Sequence, residues 1–339
     1  MDEVTTLTGR QMGAFEESAA TTVGSRLVTM LQQSIMPVER PFAELGHQLG
    51  VSEMTVLQEV YKLEAQGAIR RFGAVFEGRR LGYASTLCAV AVPEGELEQA
   101  AAIVVPLTGV THCYSRSNKL NLWFTLSAEA DRLGESFARL SELFSPYRLY
   151  SMPALRTFKI AAVFGGARGN RRVIPTAAVA AGTFSERERA VVRCLQGELP
   201  LVAEPFHSVA KEVGIEVGEL LRVCQEWLAC GVIRRMGLIL HHRQAGMSAN
   251  AMCAWLVEAA QVSRAGEIAA ASPLVSHCYE RAAFDIFPYN LYAMIHAPTR
   301  EAVEAALRGI TEEAGLTPGV ALWTGREFKK TSPAYFITE

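Results

Sequence analysis

Gly67-Ala68-Ile69-Arg70-Arg71-Phe72-Gly73 is repeated later in the chain as Gly231-Val232-Ile233-Arg234-Arg235-Met236-Gly237. Two further pairs follow in the same order. His112-Cys113-Tyr114-Ser115-Arg116 returns as His277-Cys278-Tyr279-Glu280-Arg281, and Arg156-Thr157-Phe158-Lys159 returns as Arg326-Glu327-Phe328-Lys329. Three matches in one order, with a slowly growing offset, mark a duplicated unit. The 339 residues then divide into two copies of about 150 residues each, an ordinary domain size.

Composition sets limits. The chain is 50% hydrophobic, so each copy can bury a core. The net charge of −2 lacks the strongly basic balance of a nucleic-acid binder. Cysteines stand at 88, 113, 194, 224, 230, 253 and 278, an odd number with no Cys-x-x-Cys pair, which reads as free thiols in a reducing compartment. The first residues show no basic start followed by an apolar run, and no apolar stretch is long enough to span a bilayer. A cytoplasmic globular protein is expected, with no membrane partner.

Each copy opens with a helical pattern. In copy one, Gly24–Met36 reads as a helix stopped by Pro37, Pro41–Leu49 as a second, and Met54–Ala65 as a third. Gly50 breaks the chain between the last two, Ser52 is the N-cap and Gly67 ends the run. Helix, glycine turn, helix is the helix-turn-helix layout. Copy two repeats it with Ser185–Gln196, Pro205–Val213, Gly214 and Val217–Cys230.

The period then changes. Arg70–Phe76, Ala84–Val92, Thr108–Arg116, Asn121–Leu126 and Tyr147–Val163 read as strands. Glu94–Val105 and Ala128–Leu143 read as helices, and copy two follows the same order. This β-β-α-β-β-α-β order predicts an α+β sandwich with its helices on one face of an antiparallel sheet. The expected boundaries are a helix-turn-helix domain over 22–68, an α+β domain over 69–165, a Gly-, Pro- and Ala-rich linker over 166–184, a second helix-turn-helix over 185–232 and a second α+β domain over 233–339.

This layout resembles the Lrp/AsnC family of transcriptional regulators. The resemblance implies an α+β fold of two tandem units, each a winged helix-turn-helix domain followed by a ferredoxin-like α+β sandwich. Regulators of that family dimerise through the α+β domain, so a tandem chain would carry both halves of such a dimer covalently. DNA binding is not expected. The third helix of copy one sets Glu53, Glu59 and Glu64 against Lys62, and that of copy two sets Glu216, Glu219 and Glu226 against Arg222, so phosphates would repel both.

The shared polar residues are the candidates for chemistry. Arg70, Arg71, Arg234 and Arg235 sit where each helical domain meets its first strand, and Arg79, Arg80 and Arg243 follow. A guanidinium offers a carboxylate two parallel hydrogen bonds. In strand geometry His112, Tyr114 and Arg116 share one face, as do His277, Tyr279 and Arg281, with Cys113 and Cys278 turned to the core. The copies then diverge. Copy two has four extra residues before the shared Asn-Leu, in Phe287-Pro288-Tyr289-Asn290-Leu291, and places His296 where copy one has Ser127. His47 and His207 lie in the helical domains and receive no role. His241 and His242 read as surface residues.

The string Ser276-His277-Cys278-Tyr279-Glu280-Arg281, with Phe287-Pro288-Tyr289-Asn290-Leu291-Tyr292-Ala293-Met294-Ile295-His296 and Arg326-Glu327-Phe328-Lys329-Lys330-Thr331-Ser332, resembles the siroheme decarboxylases. These are two-component Lrp-like enzymes of haem d1 biosynthesis and the alternative haem pathway, and the single chain looks like their fused form. The resemblance implies decarboxylation of two acetate side chains of siroheme without a cofactor, the iron entering with the substrate, and allows a homo-oligomer or a complex with homologous subunits. It makes His277 and His296 the candidate proton donors, with His112 as the copy-one counterpart. His277 or His296 is alternatively a ligand to the substrate iron, and the protein holds no metal of its own. Arg70, Arg71, Arg234, Arg235, Arg116, Arg281, Tyr114, Tyr279, Tyr289 and Lys329 are the candidate substrate-binding residues. Two other readings remain open here: a tandem Lrp/AsnC-type ligand-sensing regulator, and a non-catalytic tetrapyrrole carrier.

Overall fold

The computed structural model describes residues 24, 26–31, 34–160, 183–240 and 248–337. Most of the expected linker lies outside them, as do His241, His242 and Arg243. The strands are β1 (Ile69–Phe76), β2 (Tyr83–Val90), β3 (Val110–Arg116), β4 (Leu122–Glu129), β5 (Leu149–Ile160), β6 (Ile233–Leu240), β7 (Ala249–Trp255), β8 (Val275–Arg281), β9 (Leu291–Ala297) and β10 (Val320–Lys330). Among the described residues no helix is long and apolar enough to cross a membrane.

The chain forms two compact units that do not coincide with the two copies. One unit gathers both helical segments. Its helices Pro41–Leu49 and Glu53–Ala65 are separated by Gly50, whose φ of 72° closes the turn, and Ser52 accepts a hydrogen bond from Thr55 N at 3.1 Å. The second copy matches this with Phe206–Val213, Gly214 at φ 74° and Val217–Cys230. The helix Glu186–Gln196 begins with a full capping box between Ser185 and Glu188.

The arginine-rich repeats lie in this unit, and here the structure departs from the expected α+β domains over 69–165 and 233–339. β1 does not join a sandwich sheet. It pairs antiparallel with β6, with Gly73 opposite Gly237. The reason is close packing. A Cβ at Gly73 would stand 2.6 Å from Gly197 O, and one at Gly237 would stand 2.5 Å from Leu31 O. Each strand thus lies against a segment of the other copy, with Leu199 N donating to Phe72 O and Ile35 N to Met236 O.

The second unit gathers the α+β halves. Eight strands close into a barrel in the order β10-β3-β4-β2-β5-β8-β9-β7. Within each half the strands pair antiparallel, and two seams join the halves, β5 with β8 and β10 with β3. Closure leaves no sheet edge exposed. Helices pack outside. Leu97–Val104 and Leu133–Leu143 cover a core with Cys88, Cys113, Phe124 and Phe144. Val262–Ala271 and Arg300–Ala314 cover one with Cys253, Trp255, Cys278 and Ile295. A third core of Trp123, Tyr150, Met152, Phe287, Tyr292 and Leu322 fills the barrel itself.

Candidate active site

Alternation along the barrel strands decides which side chains enter the lumen. Cys113 and Cys278 belong to the outer cores, so His112, Tyr114 and Arg116 on β3, and His277, Tyr279 and Arg281 on β8, turn inward. Both rows are continuous. The His112 and Tyr114 ring centroids are 6.1 Å apart, as are those of His277 and Tyr279. Arg116 Cζ lies 5.5 Å from the Tyr114 centroid, and Arg281 Cζ lies 4.8 Å from that of Tyr279.

Arg116 is a buried charge and Arg281 a half-buried one, and both have incomplete hydrogen bonding. Arg116 Nη1 donates to Leu322 O at 3.0 Å and to Thr324 Oγ1 at 3.2 Å. Arg281 Nη1 donates to Met152 O. The Nε atom of each is buried with no hydrogen-bond partner. Burial pulls the Arg116 guanidinium down to about 10 and lowers that of Arg281. A buried cation with an unused donor is costly, and an anionic ligand would relieve both deficits.

Near the start of each row lies a hydroxyl that sequence reasoning passed over. A register shift between Val275 and His277 lets Ser276, only 1% exposed, bring its Oγ 2.9 Å from His277 Nδ1 and 3.0 Å from His296 Nε2. The same shift between Val110 and His112 sets Thr111 Oγ1 2.9 Å from His112 Nδ1. A hydroxyl residue precedes the histidine in both copies, Thr111-His112 and Ser276-His277, and that shared chemistry was the available signal. Copy one has no second histidine here, because Ser127 holds the equivalent place and pairs with Ser85.

The strand neighbour of one copy-two histidine is linked to copy one. His296 is the cross-strand partner of Asn250. Asn250 Oδ1 accepts from Thr324 Oγ1 at 3.1 Å, and Thr324 in turn accepts from Arg116. Neither Asn250 nor Thr324 was marked by the sequence. In the opposite direction Arg281 faces Ala154, which offers no side-chain acceptor.

Other predicted residues have different surroundings. Lys329 Nζ donates to Val105 O at 2.8 Å and Leu107 O at 2.7 Å, at the end of the helix Leu97–Val104. Lys159 does the same for Ser272 O at 2.7 Å, at the end of Val262–Ala271. Tyr289 lies in the copy-two insertion, where its ring meets Phe287 at 4.9 Å and its carbonyl accepts from Tyr292 Oη. The shared asparagines are structural: Asn121 and Asn290 bridge both backbone groups of Val92 and Val257.

The arginines of β1 and β6 lie in the other unit. Arg71 is committed to the carbonyls of Gln196, Gly197 and Ala74, and Arg235 Nη1 donates to Leu238 O. Arg234 approaches Glu77 at 3.8 Å, and Arg70 sits beside Arg71 on the same strand. Among the described residues no cluster of three or more His, Cys, Asp or Glu is placed to hold a metal ion.

A closed barrel of two homologous α+β halves, with histidine and arginine rows on its inner face and paired helix-turn-helix segments, defines the class as a tandem AsnC-like protein. Family models agree: the AsnC-like ligand binding domain matches residues 80–159 and 244–329, and the siroheme decarboxylase NirDL-like HTH domain matches 25–70 and 188–234. The chain is 32% identical over 317 residues to a siroheme decarboxylase of Hydrogenobacter thermophilus, covering 93% of this chain and 95% of that one. It is 37% identical over 141 residues to the siroheme decarboxylase beta subunit of Methanosarcina barkeri, covering 42% of this chain and 93% of that subunit. The crystal structure of the siroheme decarboxylase NirDL in complex with an iron-uroporphyrin III analogue superposes with a TM-score of 0.75 at 29% identity, covering 93% of this chain and 95% of that one. The chain belongs to the siroheme decarboxylase family.

Proposed function

We propose that this protein is a carboxy-lyase that decarboxylates siroheme, releasing CO₂ from two acetate side chains to give didecarboxysiroheme. The observation that carries the reading is the relation to siroheme decarboxylases along the length of both halves, helix-turn-helix segments included. The lumen chemistry fits. Siroheme is edged with carboxylates, and Arg116 and Arg281 are cations whose Nε is buried and unpartnered. Arg116 and Arg281 share a strand face with the histidines, so the anchoring role is proposed for them first; Arg71, whose Nε is likewise buried and unpartnered, and Arg70, Arg234 and Arg235 are separate candidates within the other unit.

In each turnover the bond between the acetate methylene and its carboxylate breaks. CO₂ leaves, and the electron pair remains on the methylene carbon. A proton adds there and gives a methyl group, with no change of redox state and no cofactor brought by the protein. Imidazole is suited to deliver that proton near neutral pH. His277 and His296 are the proposed donors, one of them alternatively a ligand to the substrate iron. His112 is the weaker counterpart, because copy one lacks the second ring.

The homologues named as subunits support a further proposal, that the chain works with homologous decarboxylase subunits or as an oligomer. The decisive experiment is anaerobic incubation of purified protein with siroheme. Mass loss of two CO₂ units is expected. Binding without mass loss would leave a tetrapyrrole carrier.

A further inference from the structure

We propose that the C-terminal segment Thr331–Phe336 is a strap that closes the histidine row of copy one, so that the substrate is presented to the row of copy two. The consequence rests on the proposed decarboxylation, and the closure rests on the geometry of the barrel. Neighbouring barrel strands run antiparallel, so β2, β3 and β8 all start at one end. Tyr83, His112 and His277 stand at those starts. The other end is covered by copy two, where Phe284 meets Tyr150 at 5.1 Å and Phe287 meets Trp123 at 5.4 Å.

β10 ends beside His112. Lys330 is the cross-strand partner of His112, and Thr331 N donates to Thr111 O at 2.8 Å. The chain then reaches β2, with β3 and β4 in between, and closes on Tyr83. The rings of Tyr335 and Tyr83 meet edge-on at 4.9 Å, those of Phe336 and Tyr83 at 5.6 Å, and Phe336 N donates to Tyr83 Oη at 2.8 Å. Tyr335 is buried by this contact.

Tyr83 faces inward. β2 pairs with β4 without a register shift, Cys88 and Val90 enter the outer core, and Ala89 enters the barrel core, so alternation puts Tyr83 on the inner face. Three strand spacings are about 14 Å, and five residues reach at most about 17 Å, which leaves no slack for a route round the outer helices. The segment crosses the inner side of the barrel end, past the start of β3 where His112 stands. Phe336 has φ 55°, the one positive value at a non-glycine among the described residues. An L side chain adopts that conformation at a cost, which the contacts with Tyr83 and, at 5.9 Å, with Phe184 offset.

The anchors are missing from the mirrored positions. Ser248 stands where copy one has Tyr83, and it donates to Pro298 O. Counting from Arg156 and Arg326, Gly165 and Gly166 stand where copy two has Tyr335 and Phe336.

The test labels histidines of the full chain with diethyl pyrocarbonate and locates the label by peptide mass spectrometry. The double variant Tyr335→Ala, Phe336→Ala removes both rings, and Tyr83→Phe removes only the acceptor for Phe336 N. Without substrate, His112 is expected to label about tenfold faster in the double variant and by a smaller factor in Tyr83→Phe, as a local contact opens, with His277 unchanged. Siroheme should shield His277 alone in the parent and both histidines in the double variant. Unchanged His112 labelling in the folded variants, an equal rise at His277, shielding of His112 in the parent, or shielding of His277 alone in the double variant would each overturn the proposal. Circular dichroism confirms the fold, and Tyr83→Phe carries the comparison if the double variant does not fold. The substrate-free labelling decides the closure even if siroheme is not decarboxylated, so the two failures are separable.

Discussion

Arg116 and Thr324 come from opposite halves of the duplication, and Arg116 Nη1 donates to Thr324 Oγ1 at 3.2 Å across the seam between β3 and β10. Thr324 passes a hydrogen bond to Asn250, the cross-strand neighbour of His296. His296 of copy two therefore has as its cross-strand neighbour an asparagine tied through Thr324 to an arginine of copy one. The pseudo-symmetric counterpart of that tie is broken, because Ala154 faces Arg281. The two polar rows are therefore unequal, and the inequality is testable.

Replacing Arg281 or Arg116 with methionine should weaken tetrapyrrole binding. Each charged hydrogen bond lost is worth about 1.5–3 kcal/mol, or roughly 10- to 150-fold in affinity. Titration of the tetrapyrrole absorption band measures it, with circular dichroism confirming the fold. Parent-like affinity in both variants would reduce the arginines to packing over Tyr114 and Tyr279.

His277→Ala and His296→Ala should each lose most decarboxylation while still binding substrate, and His112→Ala should lose less. General acid assistance is typically worth about 10²–10⁴ in rate. A single-turnover assay counting the remaining acetate carboxylates checks this. Variants that fail only through lost binding would point instead to iron ligation or anchoring.

Lys329→Ala and Lys159→Ala should lower stability more than binding. Each ammonium caps the end of a helix from the opposite half, and both lysines sit partly in solvent, so about 1–2 kcal/mol each is expected. Urea unfolding followed by circular dichroism gives the value. A Lys329→Ala variant with full stability and weakened substrate binding would restore its reading as a substrate contact.

The thiols should divide sharply in native protein. Burial pushes Cys88, Cys113, Cys224, Cys253 and Cys278 up to about 12 and Cys194 up to about 11, while Cys230 is exposed. A thiol reagent at mildly alkaline pH should therefore modify Cys230 first and the buried five only on unfolding. The sign for stability follows. Above about 9 the unfolded chain releases these protons and the native state does not, so stability falls as pH rises from about 9 toward 12. Rapid labelling of Cys88, Cys113, Cys253 or Cys278 in native protein would show that the barrel unit opens.

The sequence by itself determined a good deal: the duplication, the helix-turn-helix pattern with its Ser52 cap and Gly50 turn, and the inward face shared by His, Tyr and Arg on β3 and β8. These features depend on neighbours a few residues apart, which periodicity and capping chemistry report directly. Only the tertiary structure decided that β1 leaves the sandwich for β6, that Lys329 caps a helix of the other half, and that Arg71 serves backbone carbonyls. It also decided that a register shift brings Ser276 between two histidines. Each of these depends on a partner strand or helix end supplied from far along the chain. A register shift reverses the inward–outward alternation that a sequence reading must assume, and a carbonyl left open at a helix end carries no mark in the sequence.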